Sequence, residues 1–79
     1  METKRGAGAE PDRSITVKVG AEMQLARKIS GLTQSELAEK SGVPQETISR
    51  IERGRSNPTL GTLEKLVRAM GVEINVSIG

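Results

Sequence analysis

The side chains best suited to chemistry lie in one short stretch, residues 45–50, which reads QETISR. This stretch offers an amide, a carboxylate, two hydroxyls and a guanidinium, all of which form directional hydrogen bonds. The chain has no histidine and no cysteine, so the common ligands of zinc are missing. It also lacks a Walker-type GxxxxGK[ST] run and any carboxylate cluster with ligand spacing. We therefore expect recognition by hydrogen bonding, with no metal, no cofactor and no enzymatic activity.

Two short helices are predicted to position these side chains. Thr33 is a good N-cap for the first, and Glu36, three residues later, completes a capping box. Gly42 can adopt a positive φ and end that helix with a sharp turn. Pro44 suits the start of the second helix because it has no N–H to lose there. Gly54 marks the end of the second helix.

The second helix is predicted to bury one face and to expose the other. Ile48 and Ile51 recur three residues apart, and with Val43 they would fill the angle between the two helices. Ala38 is small enough to let the helices cross closely. This arrangement is that of a helix-turn-helix, whose second helix enters the major groove of DNA. Any helical hairpin needs a turn and apolar faces, but the capping box, small residue, turn glycine and polar second helix together are more specific.

From residue 20 to residue 72 the chain resembles the helix-turn-helix domain of the XRE family, which includes the Cro and repressor proteins of lambdoid phages. The resemblance covers about two thirds of the chain and implies a mainly α fold, a small bundle of four to five helices, and sequence-specific binding to double-stranded DNA. It rests on Gly20, Arg27, the LTQSELAEKSGV run from Leu32, the IxxIERG run from Ile48, and Asn57-Pro58.

The resemblance also implies which side chains meet DNA. Gln34 matches a family position that contacts the phosphate backbone, where the helix dipole would assist it. At the base-facing positions, a glutamine can pair with adenine and an arginine with guanine. Glu46 is ambiguous, because it can accept from cytosine but repels phosphate. The expected DNA-binding residues are Gln34, Gln45, Glu46, Thr47, Ser49, Arg50, Arg53 and Arg55.

Arg27 and Glu52 match a pair of family positions that often form an ion pair. The resemblance therefore implies a partly buried structural pair between them. Loss of one partner would leave an uncompensated charge, at a cost on the order of 3 kcal/mol if burial is deep. The alternative is that these are two unrelated surface charges.

A helix is predicted on either side of the helix-turn-helix. The first should run from about Gly20 to Ser30 and the last from about Leu60 to Met70, with Thr59 as its N-cap. Before the first helix, the sequence ITVKV at residues 15–19 alternates apolar and polar residues. That pattern predicts a short β-strand, although a lead-in to the first helix is the competing interpretation.

The two ends of the chain carry further predictions. Residues 1–14 are expected to form a disordered tail, or alternatively a basic arm on DNA or a segment that folds on a partner. Residues 15–71 then form the DNA-binding domain. Residues 72–79 have a clear period of two and are predicted to form a strand. Such a strand must pair with residues 15–19, with its copy in a second subunit, or with another protein. We predict a dimer in which Ile74, Val76 and Ile78 pair between subunits.

Together these features predict a cytoplasmic transcriptional regulator, an autorepressor that binds a palindromic operator as a homodimer. Its half-sites would lie about one DNA turn apart. Apolar runs are too short to span a bilayer, so no membrane partner is expected.

The alternative is an antitoxin that neutralises a toxin protein by direct binding, because HigA- and HipB-like antitoxins have a similar strand ending. In that case DNA binding would serve to autoregulate the operon. A fold that binds only protein is a further alternative.

Overall fold

The structure is a computed structural model that describes residues 13–71, apart from the side chain of Arg13. This part of the chain contains four α-helices and no β-strand. Two predictions lie outside the described residues. One is the disordered tail, except for its last two residues. The other is the strand at 72–79, with its proposed pairing residues Ile74, Val76 and Ile78. The helices are α1 (Arg13–Ile29), α2 (Gln34–Ser41), α3 (Gln45–Glu52) and α4 (Leu60–Ala69).

The predicted helix caps are confirmed. The Thr33 hydroxyl oxygen accepts from the Glu36 N–H at 3.0 Å, and the Thr33 N–H donates to the Glu36 carboxylate at 2.8 Å. Two backbone N–H groups at the start of α2 are thus satisfied, each by the side chain of the other residue. Thr59 caps α4 through the Thr62 N–H at 3.1 Å. Gly42 takes a left-handed conformation with φ of 79°, which ends α2 at the predicted turn.

The predicted strand at residues 15–19 is wrong, because α1 begins at Arg13 and runs through it. The fold of residues 13–71 is therefore four helices without the terminal strand expected before the first of them. Ile15, Val19 and Met23 are spaced four residues apart, so a helix places them on one face. Ile15 and Val19 fit the alternation of a strand and also the four-residue spacing of a helical face. The local pattern alone therefore does not distinguish a strand from a helix.

The early turns of α1 lie close to the end of α3, and two glycines make this approach feasible. A Cβ added at Gly20 would overlap the carbonyl oxygen of Ile51. A Cβ added at Gly54 would lie 2.9 Å from Val17 Cγ2, and Gly54 also has a φ of 73°. Close backbone approach of this kind requires the absence of a side chain. The first helix thus supports the last turn of α3.

The core lies between all four helices. Helices α1 and α2 both pack on α3, and α2 also packs on α4. Ile29, although apolar and the last residue of α1, is 77% exposed. None of the helices in residues 13–71 is long and apolar enough to cross a membrane. The buried hydrophobic side chains are Met23, Leu37, Val43, Ile48, Ile51, Leu66 and Met70.

Candidate nucleic-acid interface

Helix α3 divides sharply into a buried face and a polar face. Ile48 and Ile51 are fully buried and fix the helix against α1 and α2. Successive side chains lie about 100° apart around a helix, so the residues between and opposite these two isoleucines lie off the buried face. Gln45, Glu46 and Arg50 are exposed, whereas Thr47 and Ser49 are half-buried at the edges. The structure thus brings five of the predicted DNA-binding residues onto one helix.

A shallow polar concavity of about 470 Å³ lies along the exposed face and the C-terminal end of α3. Three arginines line it against a single carboxylate, so its net charge is positive. The carboxylate of Glu46 is 3.6 Å from Arg50, and both side chains are largely exposed, which makes this ion pair weak. The concavity can therefore receive an anionic group such as a phosphate. Its lining residues are Glu46, Ser49, Arg50, Arg53 and Arg55.

Beneath this face, Arg27 and Glu52 form a two-pronged ion pair between α1 and the last residue of α3. Arg27 Nε donates to Glu52 Oε2 at 2.7 Å, and Arg27 Nη2 donates to Glu52 Oε1 at 3.1 Å. Arg27 Nη1 also donates to the carbonyl oxygen of Leu32 at 2.8 Å. The side chains are 10% and 2% exposed. Each buried charge is compensated by the other at hydrogen-bonding distance. Removal of either partner would leave the other charge buried and unpaired, which would lower the free energy of unfolding.

Gln34 lies at the start of α2 and joins this network. Its Nε2 donates to Glu52 Oε1 at 3.0 Å, so one carboxylate holds the N-terminus of α2 and the C-terminus of α3 together. Sequence reasoning assigned Gln34 to DNA and missed this bond. The two residues are 18 positions apart, so no local spacing signals the contact. One amide hydrogen of Gln34 is still available for a second acceptor, since the group carries two.

The same network sets the ionisation of Glu52. Burial raises the pKa of the Glu52 carboxyl, but hydrogen bonds from Arg27 and Gln34, together with the charges of Arg27 and Lys28, outweigh burial and leave the pKa below its ordinary value. The hydrogen bond to Glu52 raises the pKa of Arg27 despite its burial. The pair is therefore fully charged at neutral pH.

Among residues 13–71, no group of three or more acidic, histidine or cysteine side chains is placed to hold a metal ion. What the described part of the chain offers is a helix-turn-helix whose second helix exposes a polar, arginine-flanked face. That combination defines the class of protein as a DNA-binding transcriptional regulator. The chain belongs to the HTH_3 helix-turn-helix family, whose model matches residues 23–76, and the resemblance to the XRE family is confirmed.

Similar proteins carry regulatory names. The chain is 46% identical over 54 residues to the HTH-type transcriptional regulator y4dJ of Sinorhizobium fredii, covering 68% of this chain and 70% of that protein. It is 39% identical over 61 residues to the immunity repressor of Bacillus phage phi105, which covers 77% of this chain but only 42% of the repressor. It is also 41% identical over 54 residues to antitoxin HipB of Escherichia coli, covering 68% of this chain and 61% of the antitoxin.

Solved structures of restriction-modification controller proteins share the fold. The controller C.AhdI from Aeromonas hydrophila superposes with a TM-score of 0.75 at 33% identity, covering 77% of this chain and 88% of the controller. The controller C.Esp1396I, solved as a tetramer with its natural 35-base-pair operator, gives a TM-score of 0.71 at 34% identity. That match covers 75% of this chain and 78% of the controller.

Proposed function

We propose that this regulator binds a palindromic operator as a homodimer in the cytoplasm and represses transcription of its own gene. The observation that carries the proposal is the division of α3 into a fully buried face and an exposed polar face flanked by arginines. A rigidly held helix with outward hydrogen-bonding groups is what reading base edges in the major groove requires.

The exposed residues divide into two roles. Arg53 and Arg55 lie at the C-terminal end of α3 and line the positive concavity, which suits phosphate contacts that position the domain. Gln45 and Arg50 are exposed on α3 itself and suit bidentate contacts to adenine and guanine. Gln34, held by Glu52, presents its second amide hydrogen toward a phosphate.

A dimer is supported by the controller protein that was solved as a tetramer on its operator. Two copies of this domain would read two half-sites about one turn of DNA apart. Repression is supported by the similarity to a phage immunity repressor.

Arg50→Ala tests the base-reading role, and the chain provides a matched control in Arg68→Ala. Each arginine is exposed, and each forms an i, i+4 ion pair with a glutamate, at 3.6 Å for Arg50 and 3.0 Å for Arg68. Only Arg50 lies on α3. Fluorescence anisotropy with labelled DNA from upstream of the protein's own gene, against a scrambled duplex, should show loss of preference for Arg50→Ala alone.

We expect Arg50→Ala to lose about 1–3 kcal/mol of binding free energy, concentrated at one base pair, while Arg68→Ala binds like wild type. Arg53→Ala should instead weaken binding to both duplexes and lower the salt dependence of binding. Equal binding of wild type to both duplexes, or equal losses for Arg50→Ala and Arg68→Ala, would contradict sequence reading by α3.

The second candidate function is that of an antitoxin that neutralises a toxin protein. Similarity to antitoxin HipB over 54 residues favours it. Co-expression with the product of the neighbouring gene tests this candidate. A stable complex that suppresses the toxicity of that product, and that survives Arg50→Ala, would support it. Growth arrest unrelieved by this protein would exclude it.

A further inference from the structure

An apolar groove lies between α1 and α4, on a different side of the molecule from the polar face of α3. Its walls are Ile15, Val19 and Met23 from α1, and Leu63, Val67 and Met70 from α4. Its volume is about 470 Å³, the same as that of the arginine-lined concavity, but its lining is mainly apolar, with the exposed residues Lys18 and Glu22 of α1 as the charged members. Ile15 is 61% exposed there. A continuous apolar surface of this kind needs a cover.

We propose that residues 72–79 of the same chain cover this groove, in place of the pairing between subunits that the sequence pattern predicts for Ile74, Val76 and Ile78. The described chain ends beside it, because Met70 lines the groove and Gly71 follows directly. Gly71 has a φ of 76°, which turns the backbone away from the axis of α4. The Ser30 hydroxyl, which donates to the Ala26 carbonyl oxygen at 2.8 Å, also lies 3.4 Å from the Met70 carbonyl oxygen, so this exit point is at the C-terminal end of α1.

The reach of the segment matches the length of the groove. Along α1, the groove extends from Ala26 back to Ile15. Eleven residues of helical rise correspond to about 17 Å. Eight residues can span at most about 26 Å when extended. The segment starting at Val72 can therefore reach the far end of the groove with length to spare.

The composition of the segment also suits the groove. It reads VEINVSIG, in which all four branched apolar residues fall on alternate positions and can share one face. Glu73 is its sole charged residue, so little charge would have to leave water. The opposite face carries Glu73, Asn75 and Ser77 and would remain toward solvent. Placement of this face on the groove buries apolar surface on both sides.

Covalent attachment favours the same chain over a second copy. No linker intervenes between Met70 and the segment, so its local concentration at the groove is in the millimolar range or above. The corresponding segment of a second copy would be present only at the much lower solution concentration of the protein, so it would compete poorly for the groove.

Cross-linking provides a direct test, because the chain has no cysteine of its own. Val19→Cys with Ile74→Cys places one thiol in the groove and one in the segment. Glu39→Cys with Ile74→Cys is the matched control, since Glu39 is exposed on α2 outside the groove. A short bismaleimide reagent at low protein concentration should cross-link the first pair within a monomer at least about tenfold faster than the second.

Two results would overturn the proposal. One is equal rates for the two pairs. The other is formation of cross-linked dimers from a mixture of the two single-cysteine variants, Val19→Cys and Ile74→Cys, at the rate seen for the double variant. That second result would assign the groove to a second copy of the chain.

A stability measurement adds an independent readout. Ile74→Asp with Val76→Asp puts two charges on the apolar face of the segment, and Asn75→Asp with Ser77→Asp puts two on its polar face. Only the variant with Ile74→Asp and Val76→Asp should have a lower Tm, because only these substitutions would carry charge into the groove. Equal Tm values for the two variants would contradict the proposal.

Discussion

Helices α2 and α3 are both eight residues long, yet they are held in opposite ways. The start of α2 is closed by a reciprocal capping box, and its end is closed by the Gly42 N–H, which donates to the Ala38 carbonyl oxygen at 2.9 Å. Helix α3 follows Pro44, which occupies the N-cap position but provides no side-chain cap. Its first-turn N–H groups must therefore find other acceptors, such as water or a ligand.

The difference shows how this fold can hold a helix firmly while leaving its surface open. Helix α3 is fixed from below by Ile48 and Ile51 and at its last residue by the carboxylate of Glu52. Its start has no side-chain cap, and its outer face exposes Gln45, Glu46 and Arg50. Helix α2 is also fixed in the core, through the fully buried Leu37, but it has both ends capped and contributes Gln34 to the anchor of α3.

The largest effect is expected from breaking the anchor of α3. Arg27→Met should destabilise the protein by about 3–5 kcal/mol, because it leaves the Glu52 carboxylate buried without its cation. The double variant with Glu52→Leu should lose much less than the sum of the two single variants. Urea unfolding monitored by far-UV circular dichroism gives both values. Additive losses would mean that the two charges are independent.

A smaller loss should follow from separating α1 and α3. Gly20→Ala adds a Cβ that overlaps the Ile51 carbonyl oxygen, so the helices must move apart. We expect about 1–3 kcal/mol of destabilisation, typical of overpacking. Gly61→Ala is the control, since its added Cβ would lie at an ordinary 3.8 Å from the Thr59 hydroxyl oxygen. Similar stability of the two variants in thermal unfolding would argue against close contact at Gly20.

Acid should weaken the same anchor without any substitution. The pKa of Glu52 is lower in the folded chain than its ordinary value of 4.5. Its contribution to stability is therefore complete above that value and is lost as pH falls through the lower folded pKa. Unfolding free energies measured from pH 6 downward should decrease more steeply for wild type than for Glu52→Gln. Parallel curves would show that another group controls acid unfolding.

The two helix starts can be compared directly. Thr33→Ala removes the acceptor of the Glu36 N–H and should cost about 1 kcal/mol. Pro44→Ala removes no capping hydrogen bond, so it should cost less. Both values come from the midpoint of chemical unfolding at constant m-value. A larger loss for Pro44→Ala would reverse the contrast drawn between α2 and α3.

The smallest effects should come from the exposed ion pairs. Glu46→Ala on α3 and Glu64→Ala on α4 each remove an i, i+4 partner of an arginine. Such pairs contribute about 0.3–0.5 kcal/mol, and salt screens them. The stabilities of the two variants should converge with wild type in high salt. A loss above about 1 kcal/mol would show that one of these pairs has a structural role.

The sequence allowed α2, α3 and α4 to be located because their ends carry explicit signals. Thr33, Gly42 and Thr59 act through bonds to neighbours within four residues, which a local pattern can represent. The start of α1 could not be located in that way, since Ile15 and Val19 fit a strand of period two as well as a helical face. Its early turns contact the end of α3, about 35 residues later in the chain, and a contact at that separation lies outside any local pattern. The bond between Gln34 and Glu52 was missed for the same reason.

The position at which α1 begins matters to anyone who wishes to excise this domain. The family match starts at residue 23, ten residues after the helix does. A fragment cut at that boundary would begin in the middle of α1 and would lack both Val17 and Gly20. The end of α3 would then lose its contacts with Val17 and Gly20 and would keep the ion pair to Arg27 from α1, while every residue of the helix-turn-helix remained present. A fusion protein or a minimal fragment made from this chain should therefore start no later than Arg13.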